Sequence, residues 1–464
     1  REPRMPGIRM TGGAGASSAP IVAFMKKKSD RRSLRLRTQT GRTLECSEDH
    51  PIITPIGMMP AGQVTAGMPV VVSYFDGVPY QKSEFWDERS MGIVAKVFGY
   101  LLGDGSLTRY KNKYCIRAYG HEEDMMQIKQ DLAELGIGSG VAVIERQHVI
   151  QTQYGEKKFT GRTTELRIYS KDFAERLIAL GYPLGRKTDQ PTRVPQWLMH
   201  APRWLQRLFL AGFFGAELTS PRTHSKTGFD APILGQNKSA TLEDEGRAFL
   251  LDLMQMLEAF GVRVTKIASR REHRNKQGEV VRLRLEISAE EENLLSLWGK
   301  IGFEYNRKRS RLAQMACAYI LNKKNLQTER AAIARKANEL RARGVKLGEA
   351  KRLLTRSNVA SVAFVEKHYY GINGKPRITL DFQSFGEFVQ AHEAQYNQHG
   401  GLLDPIASIE EIAYDGEVYD ITVADAHKFF ANGILVSNCG VRLVLTNLTE
   451  KDIQPKKREL VELL

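Results

Sequence analysis

The sequence predicts an α+β multidomain chain in which β-rich flanks bracket a duplicated unit of pattern αββαββα. Residues 94–187 and 207–308 agree with each other element by element. The residues before about 88 and after about 402 alternate polar and apolar side chains, as strands do. Each copy of the repeat also opens on an apolar helix with small residues four apart.

The repeat is read in order along the chain. Each copy begins with an apolar helix: VFGYLLGDG, ending at Gly105, and LAGFFGAE, ending at Glu217. DLAELGIGSGVAVIER then matches MLEAFGVRVTKIASR, a helix running through glycine into a strand. LRIYSKDFAERLIALGYPLGRK matches LEISAEEENLLSLWGKIGFEYNRK, a strand followed by an amphipathic helix that ends near Gly181 or Gly302. A lysine, Lys187 or Lys308, follows six residues after each of these glycines. Chance likeness between two amphipathic helices is common, but ordered agreement over five elements is not.

In the opening helices Gly99 and Gly103 share a face, as do Gly212 and Ala216. Glycine inside a helix costs about 1 kcal/mol relative to alanine, so close approach of two backbones is the expected reason for it. If the two helices pack in parallel, Asp104 and Glu217 end side by side. Adjacent carboxylates raise each other's pKa, and a divalent cation relieves the repulsion. Lys187 and Lys308, at matching places, are expected to polarise water or stabilise phosphate charge.

Bulk properties fit this outline. A length of 464 residues suggests about three domains. Hydrophobic content of 42% and charged content of 26% are ordinary for a globular protein. A net charge of +15 favours a polyanionic partner, nucleic acid most economically. Cys46, Cys115, Cys317 and Cys439 are scattered without CxxC pairs, which argues against a disulfide framework or zinc site and for a reducing, cytoplasmic setting. No apolar run approaches the roughly 18 residues of a membrane span. The first residue, Arg1, is read as the start of a piece with something missing upstream.

VFGYLLGDG and LAGFFGAEL resemble the two motifs of single-chain LAGLIDADG homing endonucleases, a likeness covering roughly residues 90–310. It implies two αββαββα halves straddling double-stranded DNA at the intein-less host gene, in a nuclease acting as a monomer. It further implies Asp104 and Glu217 as Mg²⁺ ligands, with Lys187 and Lys308 as the central basic residues. Arg167 in the first copy, and Arg270, Arg271, Arg282 and Arg284 in the second, are candidate DNA contacts on hairpins. Lys- and Arg-rich strands are also ordinary soluble edges.

In the upstream flank, GRTLECSEDHPIIT resembles the intein block with a Thr-x-x-His pattern, here Ser47 and His50. Downstream, GEVYDITVADAHKFFANGILVSNC resembles the C-terminal intein blocks, with Asp420, His427, Asn438 and Cys439 at the matching positions. The Asn438 amide can close on its own carbonyl to a succinimide, His427 protonating the leaving amine, while the Cys439 thiol accepts an upstream acyl chain. Ser437 stands where inteins often carry histidine, and no first-block nucleophile precedes REPRMPGIRMTGGAGASSAP. Complete splicing is therefore not expected of the chain as given, although cleavage at Asn438 is.

The last 26 residues, CGVRLVLTNLTEKDIQPKKRELVELL, resemble the segment after the metal-ligand cysteine of RtcB-type tRNA-splicing RNA ligases. That resemblance makes Cys439 a Mn²⁺ ligand of a complete host ligase that uses GTP, and the host halves its exteins.

The expected layout is a Hint-type all-β splicing domain from 1–88 and 402–438, with the LAGLIDADG unit at 89–310. A basic helical extension occupies 311–401, open between a DNA-contacting subdomain and a solvated charged face, and the ligase stub is 439–464. The expected function is Mg²⁺-dependent, site-specific double-strand DNA cleavage with autocatalytic peptide rearrangement, and no RNA ligation from this chain. The alternative is a piece of the ligase gene product carrying a decayed intein that only binds DNA.

Overall fold

The computed structural model describes residues 21–28, 31–85, 87–152, 155–275, 278–356, 359–371, 376–379, 381–424 and 427–437. Asn438, Cys439, the ligase-like tail 439–464 and the first 20 residues lie outside the described residues.

The upstream flank forms strands β1 (Ile21–Lys28), β2 (Ser33–Thr38), β3 (Thr43–Ser47), β4 (Pro51–Thr54), β5 (Gly57–Pro60) and β6 (Pro69–Val72). The first repeat follows as α1 (Glu88–Asp104), β7 (Gly105–Tyr110), β8 (Lys113–Gly120), α2 (Glu122–Glu134), β9 (Ser139–Thr152), β10 (Gly155–Ile168) and α3 (Lys171–Ala179). Its order is helix, hairpin, helix, hairpin, helix. After α4 (Gln196–Met199) come α5 (Arg203–Glu217), β11 (Ile233–Ser239), α6 (Glu243–Glu258), β12 (Val264–Asn275), β13 (Gly278–Ile287) and α7 (Glu291–Ser296). Here the first hairpin is reduced to β11 and two isolated bridges, Leu218 to Leu234 and Thr223 to Phe229.

The two repeats build separate antiparallel sheets, in the orders β7-β8-β10-β9 and β11-β13-β12. Alternation sets their faces: Val281, Leu283, Leu285 and Ile287 of β13 are buried, whereas Arg282, Arg284 and Glu286 between them are only half-buried. α2 packs on β8, β9 and β10, and α6 packs on all three strands of the second sheet.

α1 and α5 run in parallel, packed against each other along their length. A Cβ at Gly92 would meet Trp204 and Leu208, one at Gly99 the backbone of Phe209 and Phe213, and one at Gly103 Ala216 and Glu217. From the other side, a Cβ at Gly212 would collide with the Lys96 carbonyl. The two backbones therefore touch, and the helix ends meet. Lys96 is clamped beneath by Asp131 at 2.6 Å, and Asp131 also accepts from the Tyr305 hydroxyl at 2.6 Å.

The extension begins as one helix, α8 (Arg307–Ala342), followed by α9 (Leu347–Leu354), α10 (Val362–Tyr369) and α11 (Phe385–His399). α8 crosses the expected 310/311 boundary without a break, capped by the Asn306 side chain on the Arg309 amide. The extension thus grows out of the second repeat rather than following it.

β14 (Leu402–Ile412), β15 (Glu417–Val423), β16 (Lys428–Ala431) and β17 (Ile434–Ser437) return the chain to the upstream strands. One sheet runs β3-β2-β14-β6-β17-β4-β5 with β16 on β17, and β1 pairs separately with β15. Strands from the two ends of the chain alternate, so neither flank completes its hydrogen bonding alone. Among the described residues, no helix is long and apolar enough to cross a membrane.

A methyl at Gly99 has no room, because the opposing atoms are backbone. Gly99→Ala should destabilise the fold by about 1–3 kcal/mol despite alanine's better helix propensity. Urea denaturation reads this, and an unchanged midpoint would contradict the close contact.

Candidate functional site

Asp104 is the last residue of α1 and Glu217 the last of α5. The Glu217 side chain lies against Gly103, whose Cβ, if present, would be 2.9 Å from its Cγ. The helix contact therefore places the two carboxyls side by side, at C-termini where negative charge is least welcome. Glu217 is pushed up to about 7, first by burial and then by Asp104. Asp104 is also raised by its crowded surroundings, with Lys187 and Arg309 pulling the other way.

Two cations offset this charge. The Lys187 ammonium donates to the carbonyls of Leu101 at 3.0 Å, Leu102 at 2.7 Å, and Gly103. It thereby caps α1, and burial brings its pKa down to about 8. Arg309 does the same for α5, donating from Nη1 to Phe214 at 3.2 Å, Gly215 at 2.7 Å and Ala216 at 3.0 Å.

The expectation for Lys308 is therefore corrected: its side chain is exposed, and Arg309 occupies the place related to Lys187. The alignment from Gly302 counted one residue short because the copies continue differently. Lys187 sits in a short 3₁₀ turn, whereas α8 starts at Arg307 and turns position 309 inward.

Lys238 was missed by the sequence reading. It is fully buried on β11, donating to the carbonyls of Lys187 at 2.7 Å and Gln190 at 3.0 Å and to the Thr192 hydroxyl at 2.8 Å. The second repeat thus holds the turn that carries Lys187. The available signal was alternation, since Lys238 shares the core face of β11 with Leu234 and Gln236.

Two carboxylates and no third acid, histidine or cysteine form this cluster; among the described residues no group of three or more such side chains exists. Such a pair suits Mg²⁺, which keeps several waters and accepts phosphate oxygens.

The arginines lie on the sheets as follows. Arg167 is exposed, opposite Arg117, with Glu165 between them. Arg270 stands opposite Arg282, both reaching Glu272, at 3.2 Å and 3.5 Å. Arg284 shares their face, away from the buried valines and leucines. Arg271 pairs with Val281 instead, so it projects from the opposite face and binds Glu279 at 3.7 Å.

The flanking residues gather at a second place. His50 feels the Asp420 carboxylate, which raises its pKa, although the larger effect of burial lowers it. Asp420 Oδ1 is buried without a hydrogen-bond partner among the described residues. Ser47 closes the turn before it, accepting the His50 amide at 3.1 Å. The Ser437 hydroxyl donates to the His427 carbonyl at 3.1 Å. His427, His399, Thr54 and Ser437 line a cavity of about 370 Å³. Pairing of Val436 with Ile52 sets these two groups on neighbouring strands.

No family model matches the chain. A tRNA-splicing ligase RtcB from Pyrococcus furiosus is 36% identical over 489 residues, covering 97% of this chain and 48% of that protein. A namesake from Methanopyrus kandleri is 32% identical over 468 residues, covering 94% and 46%. The DNA-directed RNA polymerase subunit Rpo1N of Methanocaldococcus jannaschii is 26% identical over 445 residues, 87% of this chain and 30% of that protein. Among solved structures, the homing endonuclease I-WcaI bound to its DNA recognition sequence aligns at a TM-score of 0.32 and 13% identity, covering 48% of this chain and 88% of that one. The chain spans about half the length of the curated ligases it matches.

These matches correct the functional expectation. The ligase likeness is not confined to residues 439–464 but extends over 97% of the chain. That finding overturns the assignment as a DNA-cleaving, self-rearranging element, and equally its alternative as a piece of the ligase gene product carrying a decayed intein. It also overturns the exclusion of RNA ligase activity.

Folded Glu217 holds its proton to about pH 7, against an ordinary value of 4.5. Folding thus opposes its ionisation, and stability falls as pH rises from 4.5 through 7. Glu217→Gln should match the wild type below pH 4 and be more stable by about 1–3 kcal/mol at pH 8. Urea midpoints at both pH values check this; equal midpoints at pH 8 would contradict it.

Proposed function

We propose that this chain is part of an RtcB-type tRNA-splicing RNA ligase polypeptide. RNA ligation is the activity proposed for the whole polypeptide. The reading rests on one observation: a tRNA-splicing ligase RtcB is 36% identical to this chain over 97% of it.

The interleaving of β2, β4 and β6 with β14 and β17 supports a Hint-type fold for the flanks. It brings His50 beside Asp420 and His427 beside Ser437. Asn438 and Cys439 lie outside the described residues, and with them the proposed Mn²⁺ ligand of the ligase, whose GTP requirement likewise belongs to the whole polypeptide.

For the helix pair we propose a LAGLIDADG-like role in binding: Asp104 and Glu217 hold Mg²⁺, and the metal's open positions meet the phosphates of duplex DNA. The raised carboxyls favour this, since a divalent ion removes the repulsion that protonation otherwise relieves. Lys187 and Arg309 keep the acids in place by occupying the carbonyls at both helix ends. Arg270, Arg282 and Arg284 give the second sheet a basic face for the DNA backbone, and exposed Arg167 serves the first.

Two measurements test the parts separately. The complete polypeptide should join RNA ends, and failure under Mn²⁺ and GTP would sink the ligase assignment. Calorimetry should show Mg²⁺ binding that the Asp104→Asn, Glu217→Gln double variant loses at least tenfold, and undiminished binding would remove the metal site.

A further inference from the structure

α9, α10 and the distal part of α8 form a small unit with its own apolar cluster, Ala337, Leu354, Ala360 and Val365, separate from the main core. α10 runs alongside α8 in the same direction. Near one end, the buried Arg330 guanidinium donates to the Val359 carbonyl and lies 4.0 Å from the Phe364 ring centroid. Near the other, the Tyr369 hydroxyl donates to the Val345 carbonyl at 2.7 Å. α9 is tied across by Lys351 and Glu366 at 2.8 Å. The result is three mutually packed helices, the last two eight residues each.

The outer surface of this unit is one-sided in charge. Between residues 341 and 371, Arg341, Arg343, Lys346, Arg352, Arg356 and Lys367 are exposed, against one exposed acid, Glu349, among the described residues. On α10 the exposed face comprises Val362, Ala363 and Lys367, and exposed Tyr370 follows at its end, so small and apolar side chains surround the cation. A solvated face made only for solubility has no need of Val362 and Tyr370, which are 49% and 55% exposed.

We infer that this unit is a second duplex-DNA docking surface, with α10 entering the major groove and the cations of α9 and the adjoining turns neutralising phosphates. The inference deepens the DNA-binding part of the proposed function and extends the footprint beyond the acid pair and the sheets. Charge complementarity selects a polyanion. The short exposed helix selects B-form DNA, whose major groove admits a helix, over double-stranded RNA, whose major groove is too narrow.

The test is fluorescence anisotropy of a labelled DNA duplex of arbitrary sequence, about 30 base pairs long, titrated with the whole chain. The Arg352→Glu, Arg356→Glu, Lys367→Glu triple variant should bind about tenfold more weakly. Its log-affinity against log-salt slope should be shallower by about 2–3, one phosphate contact for each lost cation. The corresponding triple variant with Arg352→Lys, Arg356→Lys and Lys367→Arg should retain wild-type binding, which separates lost charge from lost folding. An unchanged affinity and slope in the glutamate variant would overturn the inference, as would double-stranded RNA binding as tightly as DNA. Arg282→Glu with Arg284→Glu probes the sheet face alone. If that pair loses binding while the α9–α10 variant does not, only the second surface is refuted.

Discussion

The contact between the backbones of α1 and α5 governs the centre of the molecule. Gly99 and Gly212 face opposing main-chain atoms that leave no space for a side chain. Because the helices run in parallel at this distance, their last residues arrive together, and both are acids. Everything distinctive about the site follows from that meeting: raised carboxyl pKa values, two cations on the helix-end carbonyls, and a lysine buried solely to hold one of the cation-bearing turns.

The charge arrangement is balanced but tense. Each helix C-terminus presents unpaired carbonyls next to a carboxyl, which ordinarily repel one another. Lys187 and Arg309 satisfy the carbonyls and partly neutralise the acids, yet burial still keeps Glu217 near neutrality in its titration. A site of this kind gains most from a ligand that brings concentrated positive charge and retains its own water, which is the chemistry of a small divalent ion. The repeats are not equivalent in how they support it. The first supplies a turn for Lys187; the second supplies Arg309 from a helix, together with Lys238, which reaches across to the first.

The β body and the helical extension extend this centre in different ways. The flanking strands alternate in one sheet, so chain ends far apart in sequence are bound into the same hydrogen-bond network. The extension, by contrast, continues directly from the second repeat through α8 and then builds a separate small core.

Much of the local pattern was legible from sequence, because it is periodic. Glycines four apart marked the helix contact, and alternation marked the strands of the two flanks. The motif likeness led to the acid pair for the same reason. Periodicity does not say which of two adjacent residues turns inward once a helix begins, so Lys308 was chosen where Arg309 is the capping residue. Nor does it give register between strands, so the separation of Arg271 from Arg270, Arg282 and Arg284 emerged only from the pairing. Lys238 was hidden because a charged side chain on a core face reads as an exception until its three acceptors are in place. Those acceptors come from another repeat, and only tertiary structure brings them there.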